Sequence, residues 1–186
     1  MTDPRHNDSR SVDPRPGQPP IRIEMGQLKL VPPGRSVSIL VGSCVGLFLF
    51  ERHTRTVCAS HILLPAGRLS RERVASNSPG RFADTAVDTS LTLIAEHCRR
   101  VDRSVTAYCI GGADMFETNS PSAVGGKNVD AVLFQLARRE IAIAQSDLGG
   151  NRARRGVFDP ATASLAIRYF EALPGTDVPG HDPPPQ

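Results

Sequence analysis

Apolar and polar residues alternate from Ile21 to Val31, in "IRIEMGQLKLV", which is the period of a half-buried strand, and Pro32, Pro33 and Gly34 end it. A second stretch, Ser38 to Phe50, is rich in Val, Ile, Leu and Phe and is strand-like. The polar "ERHT" that follows reads as a hairpin connection to "RTVCASHILL", and Gly42 permits a bend or bulge beside Cys44. From Asp84 the period changes. Val87, Leu91, Ile94, Cys98 and Val101 recur at alternating steps of four and three, which predicts an amphipathic helix capped at or near Asp84, with Cys98 a core thiol. "VTAYCI" then reads as a strand with Cys109 in the core, and "GGADMF" as a glycine-rich turn. Val129, Val132, Leu133 and Leu136 mark a second helix opening near Asn128. "EIAIAQ" is a further strand, "DLGGN" a turn, and "GVFDPATASLAIRYF" two strands around a Pro-containing turn. Strands outnumber helices and their connections are hairpin-like, so the expected class is α+β rather than a doubly wound α/β sheet.

Composition divides the chain into three parts. Ten of the 16 prolines fall in the first twenty or the last sixteen residues, so 1–20 and 171–186 read as disordered tails around a single domain at 21–170. The first twenty residues balance three Arg against three Asp. The last sixteen hold three acidic residues and no Lys or Arg, so the whole-chain charge of +3 leaves +6 on residues 21–170. Arg99, Arg100, Arg103, Arg138, Arg139, Arg152, Arg154 and Arg155 supply much of it in short separated clusters. With no Trp and two Tyr, this is a solvated basic face suited to an acidic protein partner rather than a nucleic-acid surface. No apolar run is long enough to span a bilayer and no secretory signal pattern opens the chain, so the expectation is a cytoplasmic protein with no membrane insertion. Cys44, Cys58, Cys98 and Cys109 form no C-x-x-C pair and are expected as free thiols. Cys58 and His61 lack two further ligands at zinc-site spacing, so no metal is expected.

The chemistry concentrates in "LVGSCVGLFLFERHTRTVCASHILLP", Leu40 to Pro65. A hairpin turning between Arg52 and His53 sets Phe50 opposite Arg55 and Cys44 opposite His61, on one sheet face and within side-chain reach. An imidazole beside a thiol takes its proton and yields a nucleophile that attacks carbonyl carbon. Gly42 permits close backbone approach, and the N–H groups around Ser43 and Cys44 are candidate oxyanion donors. Cys58 stands at an odd offset from Cys44 and faces the other side of the sheet. His53 is a loop histidine. The plain alternative for Cys44, a small buried hydrophobe beside a satisfied histidine, stays open on these residues alone.

"GSCVGLFLF", "ASHILLP", "RFADTAVDTSL", "GGADMF", "VGGKNV" and "DLGGNRARRGVFDPATASLAIR" occur in the order and approximate spacing of motifs in the CheD family, which the chain resembles from about Arg22 to Phe170. The resemblance implies an α+β fold of layered mixed β-sheets with flanking helices, akin to cysteine deamidase toxins. It implies Cys44 as nucleophile and His61 as general base and acid, without metal or organic cofactor. It also implies a hydroxyl that orients the histidine, a threonine in the family and Ser38 here. Serine keeps the hydroxyl and loses the methyl group that restricts its rotamer. Val57 and Cys58 stand where family members often carry glycines, and Ala153 replaces another.

The implied reaction is hydrolysis of glutamine side-chain amides in methyl-accepting chemoreceptors through a thioester. The implied partners are the receptors' cytoplasmic helices and a CheC-type phosphatase. A weakly catalytic or non-catalytic adaptor for receptors or that phosphatase is the second reading, and a cysteine hydrolase acting on some other amide the third.

Overall fold

A computed structural model describes residues 18–66, 78–98, 104–114 and 124–170. The tails at 1–17 and 171–186, Val101, Arg99, Arg100, Arg103 and the end of "GGADMF" lie outside them. Among the described residues are nine strands and two helices. In chain order they are β1 (Ile21–Arg22), β2 (Leu28–Val31), β3 (Val37–Val41), β4 (Val45–Glu51), β5 (Thr56–Ile62), α1 (Ala83–Cys98), β6 (Val105–Gly111), α2 (Val124–Ala137), β7 (Ala142–Leu148), β8 (Arg154–Asp159) and β9 (Ser164–Tyr169).

The strands form two mixed sheets, one of order β1-β3-β8-β9 and one of order β2-β5-β4-β6-β7. Alternation along each strand explains the layers. The odd residues Val37, Ile39 and Val41 of β3 pack with Phe158 of β8 against Phe48, Phe50, Val57, Ala59, Tyr108 and Ile110 of the larger sheet. Phe158 lies at the centre of this core, its ring 4.7 Å from Tyr108, 5.3 Å from Phe50 and 5.7 Å from Phe48. The opposite face of the larger sheet, with Leu47, Leu49, Cys58 and Cys109, packs on Ala86, Val87 and Ile94 of α1 and Val132 and Leu136 of α2. The molecule is thus sheet on sheet on helices, an α+β layering, and each fully buried large apolar side chain contributes roughly 1.5–3 kcal/mol.

Several sequence expectations move. The single strand at 21–31 is two strands in different sheets, because Gly26 takes φ +73° in a turn closed by Gln27 N–H to Glu24 O at 3.0 Å. The run 38–50 likewise divides at Gly42–Cys44, where the chain leaves the smaller sheet for the larger. The second helix opens at Val124 rather than near Asn128. Its Gly125 touches the loop after β6, where an added Cβ would lie 2.6 Å from the carbonyl oxygens of Gly112 and Ala113, so this glycine serves close packing within a helix. Cys98 is half-buried instead of a core thiol, with Sγ 3.2 Å from Thr54 Oγ1. Arg154 is buried rather than part of a solvated face. It is paired with Asp147 and also donates to the carbonyls of Asp147 and Gly149.

Candidate active site

The turn Gly42–Ser43–Cys44 carries its three carbonyls into hydrogen bonds with the protein behind it. Ala113 N–H donates to Gly42 O at 2.8 Å, and Gly112 N–H to Cys44 O at 2.7 Å. Asn128 Nδ2 donates to Ser43 O at 3.0 Å and to Leu63 O at 2.9 Å. Gly111 makes the close approach to Cys44 O feasible: its φ is +100°, and an added Cβ would stand 2.3 Å from that oxygen. In a trans peptide the N–H points opposite to the C=O of the same plane. With Gly42 O and Ser43 O held from behind, the N–H groups of Ser43 and Cys44 face the other way.

His61 lies on β5, and the hairpin register differs from the expected one. Gly46 stands opposite His61 and Phe50 opposite Val57, because Glu51 is still in the strand and the loop is Arg52–Arg55, with Arg55 at φ 57°. The two-residue change keeps parity. Cys44, two positions before Gly46 and just ahead of β4, is therefore not directly opposite His61, but it packs on the inter-sheet core and lines one cavity with the histidine. Cys58 and Cys109 belong to the helix-side core, as their parity requires.

The segment after β1 clasps the histidine. His61 Nδ1–H donates to Ile23 O at 3.4 Å, which leaves Nε2 as the basic nitrogen. His61 N–H donates to Gln27 O at 2.9 Å, and Gly26 N–H to His61 O at 3.1 Å. Ile23 N–H in turn donates to Ser38 O at 3.0 Å, so the Ile23 peptide links the Ser38 backbone to the imidazole. A cavity of about 310 Å³ is lined by Ser38, Gly42, Cys44 and His61 together with Arg22, Ile23, Glu24, Met25, Leu40 and Arg155. Ser43, the other expected donor, is partly buried in the adjoining turn.

Burial raises the Cys44 thiol above its ordinary value of 9.0. Burial also lowers His61 below 6.5, opposed by the Ile23 hydrogen bond and the charge of Glu24. Both shifts favour the uncharged thiol and the uncharged imidazole over the ion pair. Cys58 and Cys109 are pushed up further by burial, to about 11 and about 12, with Ser90 partly offsetting the rise at Cys58.

Sequence reasoning missed Ile23, whose contribution is a carbonyl, and Asn128, which the motif "VGGKNV" contained but whose side-chain targets lie 85 and 65 residues away. Asn128 is fully buried, and its Oδ1 has no hydrogen-bond partner among the described residues. The same residues hold no group of three or more His, Cys, Asp or Glu placed to bind a metal ion. Among the described residues, no helix is long and apolar enough to cross a membrane.

Residues 63–169 match a family model described as CheD chemotactic sensory transduction. The match begins two residues after His61, so the Cys44 and His61 assignments rest on the geometry above. The chain is 35% identical over 153 residues to the chemoreceptor glutamine deamidase CheD of Bacillus licheniformis, covering 80% of this chain and 89% of that protein. It is 36% identical over 132 residues to the protein of the same name from Bacillus subtilis, covering 69% of this chain and 77% of that one. With the probable chemoreceptor glutamine deamidase CheD of Methanococcus maripaludis the identity is 30% over 154 residues, 82% of this chain and 97% of the relative. A single stretch of motifs matched across more than half the chain, and relatives aligned over most of their own length, mean that this chain belongs to the CheD family.

Proposed function

We propose that this chain hydrolyses glutamine side-chain amides of chemoreceptors, the activity its relatives are named for, with Cys44 as nucleophile. The carrying observation is the cavity shared by Cys44, His61, Ser38 and Gly42, with Nε2 of His61 left free by the Nδ1 bond to Ile23. His61 Nε2 takes the Cys44 proton as sulfur attacks the carboxamide carbon, so the thiolate forms only in the attack and the uncharged resting pair is consistent with turnover. The Ser43 and Cys44 N–H groups receive the developing oxyanion. His61 returns the proton to the departing nitrogen, the C–N bond breaks, ammonia leaves and a thioester remains. Water attacks the thioester, gives a proton to His61, and the C–S bond breaks to release glutamate and the Cys44 thiol. Ser38 supports the strand segment that holds His61, and its hydroxyl adds a polar group to the cavity wall. The substrate is the receptors' cytoplasmic helical region, and a CheC-type phosphatase is the expected regulatory partner, in a reducing compartment where the thiol persists.

The test is incubation with purified cytoplasmic receptor fragments and peptide mass spectrometry for the Gln-to-Glu mass change. Conversion by the wild type and none by Cys44→Ala or His61→Ala is the expected result. Conversion that persists in Cys44→Ala overturns the nucleophile. Receptor binding with no conversion by the wild type assigns the chain the adaptor role instead.

A further inference from the structure

The smaller sheet presents a cationic outer face that reaches the cavity. Val37, Ile39 and Val41 point into the inter-sheet core, so Ser38 and Leu40 point outward. In register beside them, Arg22 of β1 pairs with Ser38, Arg155 of β8 with Leu40, and Arg168 of β9 with Arg155. Arg22 and Arg155 both line the cavity, on opposite sides of β3. Neighbouring strands lie about 4.8 Å apart, so the two backbones are roughly 10 Å apart across β3, a gap that two arginine side chains close onto one ligand.

Four further observations point to an anion there. Arg139 is paired with Asp88 and Arg154 with Asp147, whereas among the described residues Arg22, Arg155 and Arg168 have no carboxylate partner. Arg155 and Arg168 are like charges directly opposite on adjacent strands, an arrangement that costs stability unless something offsets it. The Phe170 ring, 5.5 Å from the Arg155 guanidinium and 5.8 Å from that of Arg168, holds both cations and leaves their hydrogen-bond donors unspent. Among the described residues, Glu24 is the one carboxylate in the cavity lining, which there carries two arginines against one acid. Met25 at 69% exposure and Leu40 at 47% add apolar surface to the same wall.

We propose that Arg22 and Arg155 form a carboxylate-binding subsite beside Cys44. The preferred glutamine then lies on an amphipathic helix that carries a Glu or Asp one turn away on the same face, with Met25 and Leu40 receiving the helix's apolar side chains. This rests on the deamidase reading and adds the rule by which the enzyme selects among glutamines. One helical turn spans about 5.4 Å, which suits a target amide at Cys44 and a carboxylate at the arginine pair within one cavity. The guanidinium forks are matched to bidentate carboxylate recognition.

The experiment takes a receptor fragment that the wild type converts and replaces each Glu or Asp three or four residues from the converted glutamine by Ala, then follows ammonia release. The expected result is a KM raised roughly tenfold by loss of the charge-assisted contact, with kcat within about twofold. Arg22→Gln and Arg155→Gln should raise KM for the acidic fragment by several-fold more than KM for the neutral fragment. Arg155→Glu should favour a fragment carrying Lys at that position. Thermal melting of each variant and the substrate-side substitutions keep the reading independent of folding. Equal KM for acidic and neutral fragments overturns the subsite while leaving the deamidase intact. If no fragment is converted by the wild type, it is the deamidase reading that fails.

Discussion

Cys44 and Cys58 sit on the same hairpin, on opposite faces of the same sheet, and their surroundings differ in kind. Cys58 is covered by α1, with Ser60 beside it on that face bonded to Ser90 at 3.1 Å, and burial holds its thiol near 11. Cys44 ends the inter-sheet face, where the two sheets part, and meets a cavity, a histidine with one free nitrogen and a turn whose carbonyls are all occupied. The difference is positional. A thiol in mid-strand is sealed by the next layer, whereas one at the crossover between sheets keeps a wall of protein behind it and space in front.

The largest test of that contrast is Cys44→Ala, which should lower kcat by at least about a thousandfold, while Cys58→Ala and Cys109→Ala retain kcat and lose roughly 1–2 kcal/mol in urea unfolding. His61→Gln should cost about 10²–10⁴ in kcat. In the wild type, kcat/KM should hold through neutral pH and fall only as pH drops below His61's depressed value, because the base must be uncharged. Retention of full activity by His61→Gln would erase the distinction between the two faces. Asn128→Ala should lower kcat about tenfold with KM within twofold and cost about 1–3 kcal/mol, since Ser43 O and Leu63 O lose their donor. Unchanged kcat with reduced stability would make Asn128 a structural pin only.

Glu51 supplies a comparison at the far end of the same hairpin. Its carboxylate is raised by burial but lowered further by the Ser104 and Thr54 hydroxyls and the Thr54 and His53 N–H groups, to about 2. A depressed folded value means stability that is present above the unfolded value near 4.5 and is lost as pH falls from there toward 2. Glu51→Gln should flatten that acid limb in a pH series of melts without changing kcat at pH 7. The smallest effect belongs to Ser38: Ser38→Ala should lower kcat less than about tenfold and Ser38→Thr less still, because the Ile23 carbonyl already holds His61 Nδ1. A loss in Ser38→Ala as large as that of His61→Gln would move the orienting role to the hydroxyl.

How much of this could be read from residues follows from which forces act locally. Alternation along β4 and β5 assigns each side chain to a face, so Cys44 and His61 were legible as companions and Cys58 as their opposite. The register was not. "ERHT" looks like a polar loop, yet Glu51 stays in the strand because its carboxylate caps the loop's N–H groups, and only the loop's backbone, with Arg55 left-handed, tells Glu51 from the turn. The break at Gly26 and the change of sheet at Gly42 were hidden for a similar reason: alternation continues across both, so periodicity reports burial and not partner. Asn128 and the Ile23 carbonyl were illegible because their partners are distant backbone atoms, which carry no signature in side-chain type.

Protein synthesis gives the pinned turn a further meaning. A nascent chain that has emerged as far as Pro65 already contains Cys44, His61 and the residues of β4 and β5. It lacks Gly112, Ala113 and Asn128, which hold the turn, and Arg155 on the cavity wall. Domains form as their chains are completed, so Cys44 and His61 are synthesised well before the residues that back their turn. On the proposed reading, the thiol gains its pinned turn and its complete cavity wall only once the second half has arrived.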